Sequence, residues 1–309
     1  MRPLDVIGMG ALLVDRTASI DYFPKVDGET FVKSLEVRPG GSAANFAVAC
    51  KRLGVKSGFV GVVGEDPEGK YLIEDLRKEG VDIAGLVSTK AYPTGQVYIA
   101  LDKEGKRMMF AYSGAANALS EEEISTKYIA SSQFLHIADL KNIKPLIAAA
   151  KKAQDAETKV SLNPGELIAV QGYEEIKDLL SNVDIFVSSR NEVNQIFRTE
   201  NLEYAIRKVL KSGPEIAVIT LGSEGCIAAD SWESLHRIAA FKTEVIDTTG
   251  AGDAFCAGLI TMLVERQGVI EAARFANAVA ALKITKLGAR SLPTRKEVEE
   301  FLSDRNSEP

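Results

Sequence analysis

Short runs of β-branched and aliphatic residues alternate with helical segments along almost the whole chain, and this alternation constrains the fold more than any other feature. The runs at 6–9, 58–63, 134–137, 160–162, 184–187 and 216–221 are largely apolar at successive positions rather than at every second one. A strand with one solvated face alternates, so continuous apolar runs predict strands covered on both faces, as in a parallel sheet. The helices between them have readable ends. Ser42 is placed to cap a helix over 43–53 that ends at Gly54, and Pro67 opens a helix that Gly80 closes. Ser120 with Glu123, and Thr294 with Glu297, fit capping boxes. The expected fold class is α/β, a doubly wound and mostly parallel sheet between helical layers.

Two stretches break the alternation. Segments 12–37 and 94–112 have strand patterns without helices between them, the second folded about a turn at 102–105. They predict antiparallel strands of a small β lid, inserted into an α/β body formed by 1–11, 38–93 and 113–309. No internal repeat or low-complexity tract marks a second independent domain.

Charge and composition narrow the partners. The net charge is −6 with no basic block, which argues against a nucleic-acid partner. No run approaches the roughly 18 apolar residues of a membrane span, and the first residues lack a signal-peptide shape. A cytoplasmic protein without a membrane partner is expected. Cys50, Cys226 and Cys256 lie far apart, each in an apolar run, and read as buried thiols.

Three glycine-containing segments resemble phosphate sites. Gly8-Met-Gly10 follows the first strand, but Leu13 stands where a dinucleotide fingerprint needs its third glycine, so a turn leaving the strand is the better reading. Gly64 to Lys70 matches P-loop spacing until Tyr71, which has no aliphatic hydroxyl for Mg²⁺; a helix-opening turn is expected instead. The third segment, Asp247-Thr-Thr-Gly250-Ala-Gly252-Asp253, precedes an apolar helix over 254–263. Gly250, Ala251 and Gly252 let backbone N–H groups approach a ligand at a helix N-terminus, a setting that attracts anions. Asp253 beside such a site is either a helix-start acid or a general base next to a transferring phosphoryl group.

Two signatures carry a family resemblance. DTTGAGDAF at 247–255, and GGSAANFAVACKRLG at 40–54 followed by GFVGVVGED at 58–66, resemble the ribokinase, or PfkB-type carbohydrate kinase, family. PKVDGET at 24–30 and LNP at 162–164 extend the likeness over nearly the whole chain. The resemblance implies Asp253 as base, with Gly250, Ala251 and Gly252 as the anion hole. It implies Asp15, Gly41 and Asn45 as contacts to the acceptor, and Asn191, Thr220, Gly222, Gly225 and Asn277 on the nucleotide side. Asp247 and Thr249, with 285–291, resemble the monovalent-cation site of some members. Mg²⁺ and ATP are implied, K⁺ in those members, and a homodimer formed through the lid.

The chain departs from the pattern in two places. Asn194 replaces the acid of the family's Asn-x-x-Glu motif, which leaves Glu192 as the acid near Mg²⁺, and Ser42 stands where ribokinases proper carry lysine. The expected activity is ATP-dependent phosphorylation of a hydroxymethyl group on a sugar or sugar derivative. A nucleoside kinase is the alternative, with Tyr98, Phe110 and Tyr112 as an aromatic wall for the base. A non-catalytic nucleotide or sugar sensor is a further one.

Overall fold

The computed structural model describes residues 2–138, 140–231 and 233–306. Among them, nine strands make one sheet, in the order Ser234–Ile238, Cys226–Ser231, Ile216–Thr220, Ile185–Ser189, Lys159–Asn163, Phe134–Ala138, Val6–Gly10, Ser57–Gly64 and Asp82–Thr89. The strands from Ile216–Thr220 to Asp82–Thr89 are parallel; the other two add an antiparallel hairpin at one edge. Each apolar run in the sequence overlaps a parallel strand, with residues 184 and 221 just outside theirs, and Val6–Gly10 and Ser57–Gly64 are buried throughout.

Apolar clusters fill both faces of this sheet. One lies under the helices Ser42–Arg52, Pro67–Lys78, Ala251–Val264 and Val269–Ile284. The other lies under Lys144–Asp155, Tyr173–Leu180, Arg190–Phe197 and Leu202–Lys211. Val6–Gly10 lies inside the sheet, third from the edge strand Asp82–Thr89. The chain first builds outward from it to Asp82–Thr89, then returns to its other side at Phe134–Ala138. Such a reversal leaves a crevice beyond the carboxyl end of Val6–Gly10, where α/β sheets of this type hold ligands.

Glycine chemistry decides three local details. Gly41, at φ +103°, takes the N-cap position, so Ser42 is the first helical residue and not the expected cap. Gly8 and Gly10 belong to the strand rather than to a turn leaving it. A Cβ on Gly8 would lie 2.5 Å from the Ala43 carbonyl oxygen, so its absence lets the helix Ser42–Arg52 press onto the strand. The Gly64 to Lys70 segment does open a helix, with Asp66 Oδ1 accepting the Gly69 N–H at 2.7 Å. Ser120 and Glu123 make one capping bond, Ser120 N–H to Glu123 Oε2 at 2.8 Å, but the chain turns there, and the next helix is Thr126–Ile129.

A second sheet has the order Val32–Gly40, Leu13–Ile20, Gly95–Leu101, Arg107–Tyr112. Its two hairpins are antiparallel, as expected, but the central pair Leu13–Ile20 and Gly95–Leu101 is parallel. Both strands leave the carboxyl edge of the main sheet and run outward together. Cross-strand pairing puts Asp15, Arg38, Val97 and Ala111 on one face and Arg16, Val37, Tyr98 and Phe110 on the other. No helix among the described residues is long and apolar enough to cross a membrane.

Candidate active site

Gly250 adopts a left-handed φ of +78° and caps the helix Ala251–Val264, which begins three residues before the apolar run. Ala251, Gly252 and Asp253 therefore form its first turn. The Ala251 N–H donates to the Thr248 carbonyl at 3.1 Å, and Ala254 N–H to Gly250 makes the first regular helical bond. The N–H groups of Gly252 and Asp253 thus have no helical carbonyl to bond, as for any first turn. A Cβ built on Gly252 would meet nothing within 4 Å, so this turn faces open space.

Asp253 is half-buried and bound from the opposite signature. Its Oδ2 accepts a hydrogen bond from Asn45 Nδ2 at 2.7 Å. Asn45 sits one turn into the helix that follows Gly41, which explains how a segment 200 residues earlier reaches this carboxylate. Arg290 extends the chain of contacts, with Nε donating to Asn45 Oδ1 at 2.6 Å and Nη1 to Asp75 Oδ2 at 2.7 Å. Arg290 Nη2 is buried and has no partner among the described residues.

Asp15 closes the group from the small sheet. Its carboxylate lies over Gly40, where a Cβ would come within 2.5 Å of Oδ2. Burial pushes the Asp15 carboxyl up to about 6, with Arg290 opposing the shift and the charge of Asp253 adding to it. Asp253 is likewise pushed up to about 6, first by burial, against the pull of Asn45, Ser42 and Arg290 and with a contribution from Glu192. Two carboxyls raised to about 6 thus lie within electrostatic reach of each other at the start of the helix Ala251–Val264.

The segment before the turn is tied down separately. Asp247 Oδ1 accepts from the N–H and hydroxyl of Thr249 at 2.9 and 2.7 Å, and Oδ2 accepts from the Gly288 N–H at 2.7 Å. Burial alone would raise the Asp247 carboxyl, but these donors hold it below its ordinary value. Lys283 Nζ donates to the backbone carbonyl of Asp247 at 2.8 Å. From the small sheet, Arg107 Nη1 donates to Thr249 Oγ1 at 2.9 Å, so that sheet reaches this segment.

The remaining candidates lie along the carboxyl edge of the main sheet. Asn191 is exposed, in the first turn of the helix that Ser189 caps. Glu192 is half-buried; its Oε2 accepts the Ser189 N–H at 2.8 Å, and burial followed by the charge of Glu166 raises its carboxyl. Asn194, with its amide turned to satisfy its neighbours, donates to the carbonyls of Arg190 and Thr199, bracing the helix end. Thr220 ends its strand, and Gly222 (φ +62°) and Gly225 (φ +94°) form the turn into Cys226–Ser231. Asn277 is buried, donating to the carbonyls of Ile238 and Ala239 at 3.3 and 3.2 Å. It braces the edge hairpin, whereas Asn45, Asp15 and Asp253 gather around Arg290. Tyr98, Phe110 and Tyr112 stand on the face of the small sheet opposite Asp15.

Arg290 and Lys283 escaped the sequence reading. Arg290 follows Gly288 and Ala289 in a loop, where an arginine ordinarily reads as solvated. Lys283 left a usable trace, a single charge in the apolar stretch 275–284.

Comparison with known proteins fits this geometry. Residues 10–295 match the pfkB family of carbohydrate kinases. An ATP-dependent ribose-1-phosphate kinase from Halopiger xanaduensis is 32% identical over 97% of this chain and 98% of its own length. A ribokinase from Haemophilus influenzae is 33% identical over 95% of this chain and 97% of its own. The structure of Arabidopsis thaliana ribokinase complexed with ribose and ATP superposes with a TM-score of 0.84 at 27% identity, covering 97% of this chain and 98% of that one. With two signatures joined at one carboxylate and a match spanning nearly its full length, the chain belongs to the pfkB family of carbohydrate kinases, enzymes that transfer a phosphoryl group to an alcohol.

Proposed function

We propose that this kinase transfers the γ-phosphoryl group of ATP to a hydroxymethyl oxygen of a sugar or sugar derivative. The observation that carries the reading is Asp253, a half-buried carboxylate raised to about 6, held by Asn45 beside an open helix N-terminus. A base of that kind accepts the hydroxyl proton near neutral pH as the oxygen attacks phosphorus. The N–H groups of Gly252 and Asp253, on a turn shaped by Gly250 and Ala251, would stabilise charge on the equatorial oxygens. Asp15 and Asn45 offer directional hydrogen bonds to the acceptor's other hydroxyls, while Gly41 admits Asn45 to the site. Closure of the small sheet, anchored by Arg107 on Thr249, would exclude water from the transferring group.

The nucleotide fits the carboxyl edge lined by Asn191, Thr220, Gly222 and Gly225, behind which Asn277 braces the backbone. Mg²⁺ fits as a companion of the nucleotide, because it commonly takes one or two carboxylates and completes its shell with phosphate and water. Glu192, whose charge is felt at Asp253 and which is itself raised by burial and Glu166, would face it with Asn191. When bound, that ion neutralises phosphate charge. The sugar reading is preferred over the nucleoside one because the aromatic residues of the small sheet face away from Asp15. That outer face exposes Leu35, Tyr98, Met108, Phe110 and Tyr112, a continuous apolar patch suited to a second copy of the chain. We therefore expect a dimer that Phe110→Glu converts to monomer in sedimentation analysis; a wild-type monomer would remove that expectation.

The deciding assay is ATP consumption against sugars, sugar phosphates, sugar acids and nucleosides, with Asp253→Asn run beside the wild type. Turnover on one acceptor class should fall about 10²–10⁴-fold in the variant while nucleotide affinity is retained. Near-wild-type kcat in Asp253→Asn would sink the base assignment.

A further inference from the structure

The side chain of Lys283 is completely buried, yet no carboxylate among the described residues lies within ion-pair distance of its ammonium. It sits in the last turn of the helix Val269–Ile284, where a lysine ordinarily reaches outward to solvent. Here it turns inward. Nζ donates to the Asp247 carbonyl at 2.8 Å and contacts the Lys286 carbonyl at 3.5 Å. Those carbonyls belong to the two segments that shape the phosphate-facing turn, 247–252 and 284–289. The same segments interlock elsewhere: the N–H groups of Ile246 and Asp247 donate to the Ile284 carbonyl at 2.8 and 3.1 Å, and a Cβ on Gly250 would lie 2.9 Å from the Ala289 carbonyl oxygen.

These are the segments that resemble a monovalent-cation site. Such a site needs several oxygens, mostly backbone carbonyls, converging on one point. The residues present do not fit it. The carbonyls of Asp247 and Lys286 already converge on an ammonium, and both oxygens of the Asp247 carboxylate are taken by Thr249 and Gly288. Burying an unpaired ammonium is costly unless its charge is used.

We propose that Lys283 is a built-in cation, a positioning residue that holds the 247–252 segment in shape and supplies its positive charge, so that the enzyme works without K⁺. Burial lowers the Lys283 pKa, while the charges of Asp247 and Asp253 favour the protonated form, which puts the ammonium within electrostatic reach of the catalytic turn. The proposal rests on the anion-hole reading of Gly250 to Asp253 only for its effect on rate; its cation chemistry stands apart from it.

The test uses the full chain with K⁺, Na⁺ or tetramethylammonium as the only added monovalent cation, each at about 0.1 M to hold screening constant. Wild-type kcat should agree within about twofold among the three salts, and K⁺ should give no thermal stabilisation beyond that of Na⁺. Lys283→Met should lower kcat about 30-fold or more with little change in acceptor KM, the pattern of lost transition-state stabilisation. Lys283→Ala opens the space vacated by the butylammonium. K⁺ or methylammonium should stabilise it specifically and, where turnover is measurable, recover about tenfold in kcat. Specific stabilisation or about tenfold activation of the wild type by K⁺ overturns the proposal. So does Lys283→Met with unchanged kcat, or Lys283→Ala indifferent to every cation. The stability readings need no turnover. If no acceptor is phosphorylated by any protein, the phosphotransfer reading fails while the built-in cation is still judged.

Discussion

Replacing Gly252 by alanine separates what the catalytic turn does for stability from what it does for chemistry. Gly252 lies in the first turn of Ala251–Val264 without a positive φ, and an added Cβ meets no heavy atom within 4 Å. Nothing in the folded chain resists the methyl group. Glycine in a helix is worse than alanine by roughly 0.5–1 kcal/mol, less near an end, so Gly252→Ala should be neutral or gain about 0.5 kcal/mol. That corresponds to a rise in Tm of about 1–2 °C for a chain of this size. On the proposed mechanism the same methyl group projects into the space where a phosphoryl oxygen approaches the N–H groups. Displacement of a reacting group by about 1 Å costs on the order of a hundredfold, so kcat should fall by about that factor. Gly250→Ala provides the contrast. Its φ is +78° and its Cβ would lie 2.9 Å from the Ala289 carbonyl oxygen, so it should lose about 1–2 kcal/mol or more. Differential scanning fluorimetry and steady-state kinetics on the two variants give the four numbers required. A Gly252→Ala enzyme with wild-type kcat would mean that the open space before this turn is not where phosphoryl transfer occurs.

If Asp253 is the base, the acid limb of kcat/KM should fall with an apparent pKa near 6, because Asp253 and its neighbour Asp15 are both raised to about 6. A profile flat down to pH 5 would contradict it. The linked effect on stability has the opposite sense. Both carboxyls bind protons more tightly folded than unfolded, so their contribution declines as pH rises from about 4 to about 6 and stays lower above that range. Arg290→Met should cost about 3 kcal/mol, since it strands Asp75 and frees Asn45, and should lower Tm by roughly 6–10 °C. It should also move the acid limb upward by removing the countercharge that both Asp15 and Asp253 feel. An unchanged limb in a folded variant would show that Arg290 does not tune the pair.

Much of this architecture is written locally in the chain. Continuous apolar runs specify strands buried on both faces, and Val6–Gly10 and Ser57–Gly64 obey that rule without exception. Asp82–Thr89 was harder to see because it lies at an edge, half-covered, and mixes polar with apolar positions. The hairpin of Cys226–Ser231 and Ser234–Ile238 hides similarly behind a sheet edge. Gly41 outcompeted Ser42 as the helix cap because only glycine tolerates φ +103° there, and no local pattern announces that angle. The cluster was legible where motifs carried its residues, at Asp253 and Asn45, which the fold brings into hydrogen-bond contact. Arg290 and Lys283 were not, because their roles depend on what a distant segment brings to them. A cation in a loop or at a helix end looks the same on paper whether solvent or two backbone carbonyls surround it.

The parallel seam between Leu13–Ile20 and Gly95–Leu101 has a consequence for the order of assembly. Each hairpin of the small sheet can form from neighbouring residues, but the seam joins strands separated by an entire strand–helix–strand unit of the body. Closing that long loop is entropically unfavourable until the intervening unit has folded and brought the ends together. The seam is thus the last of these pairings to form and the first to part. Its amide hydrogens should exchange as one cooperative group, sooner than those of Val6–Gly10, and the two hairpins should swing separately once they do.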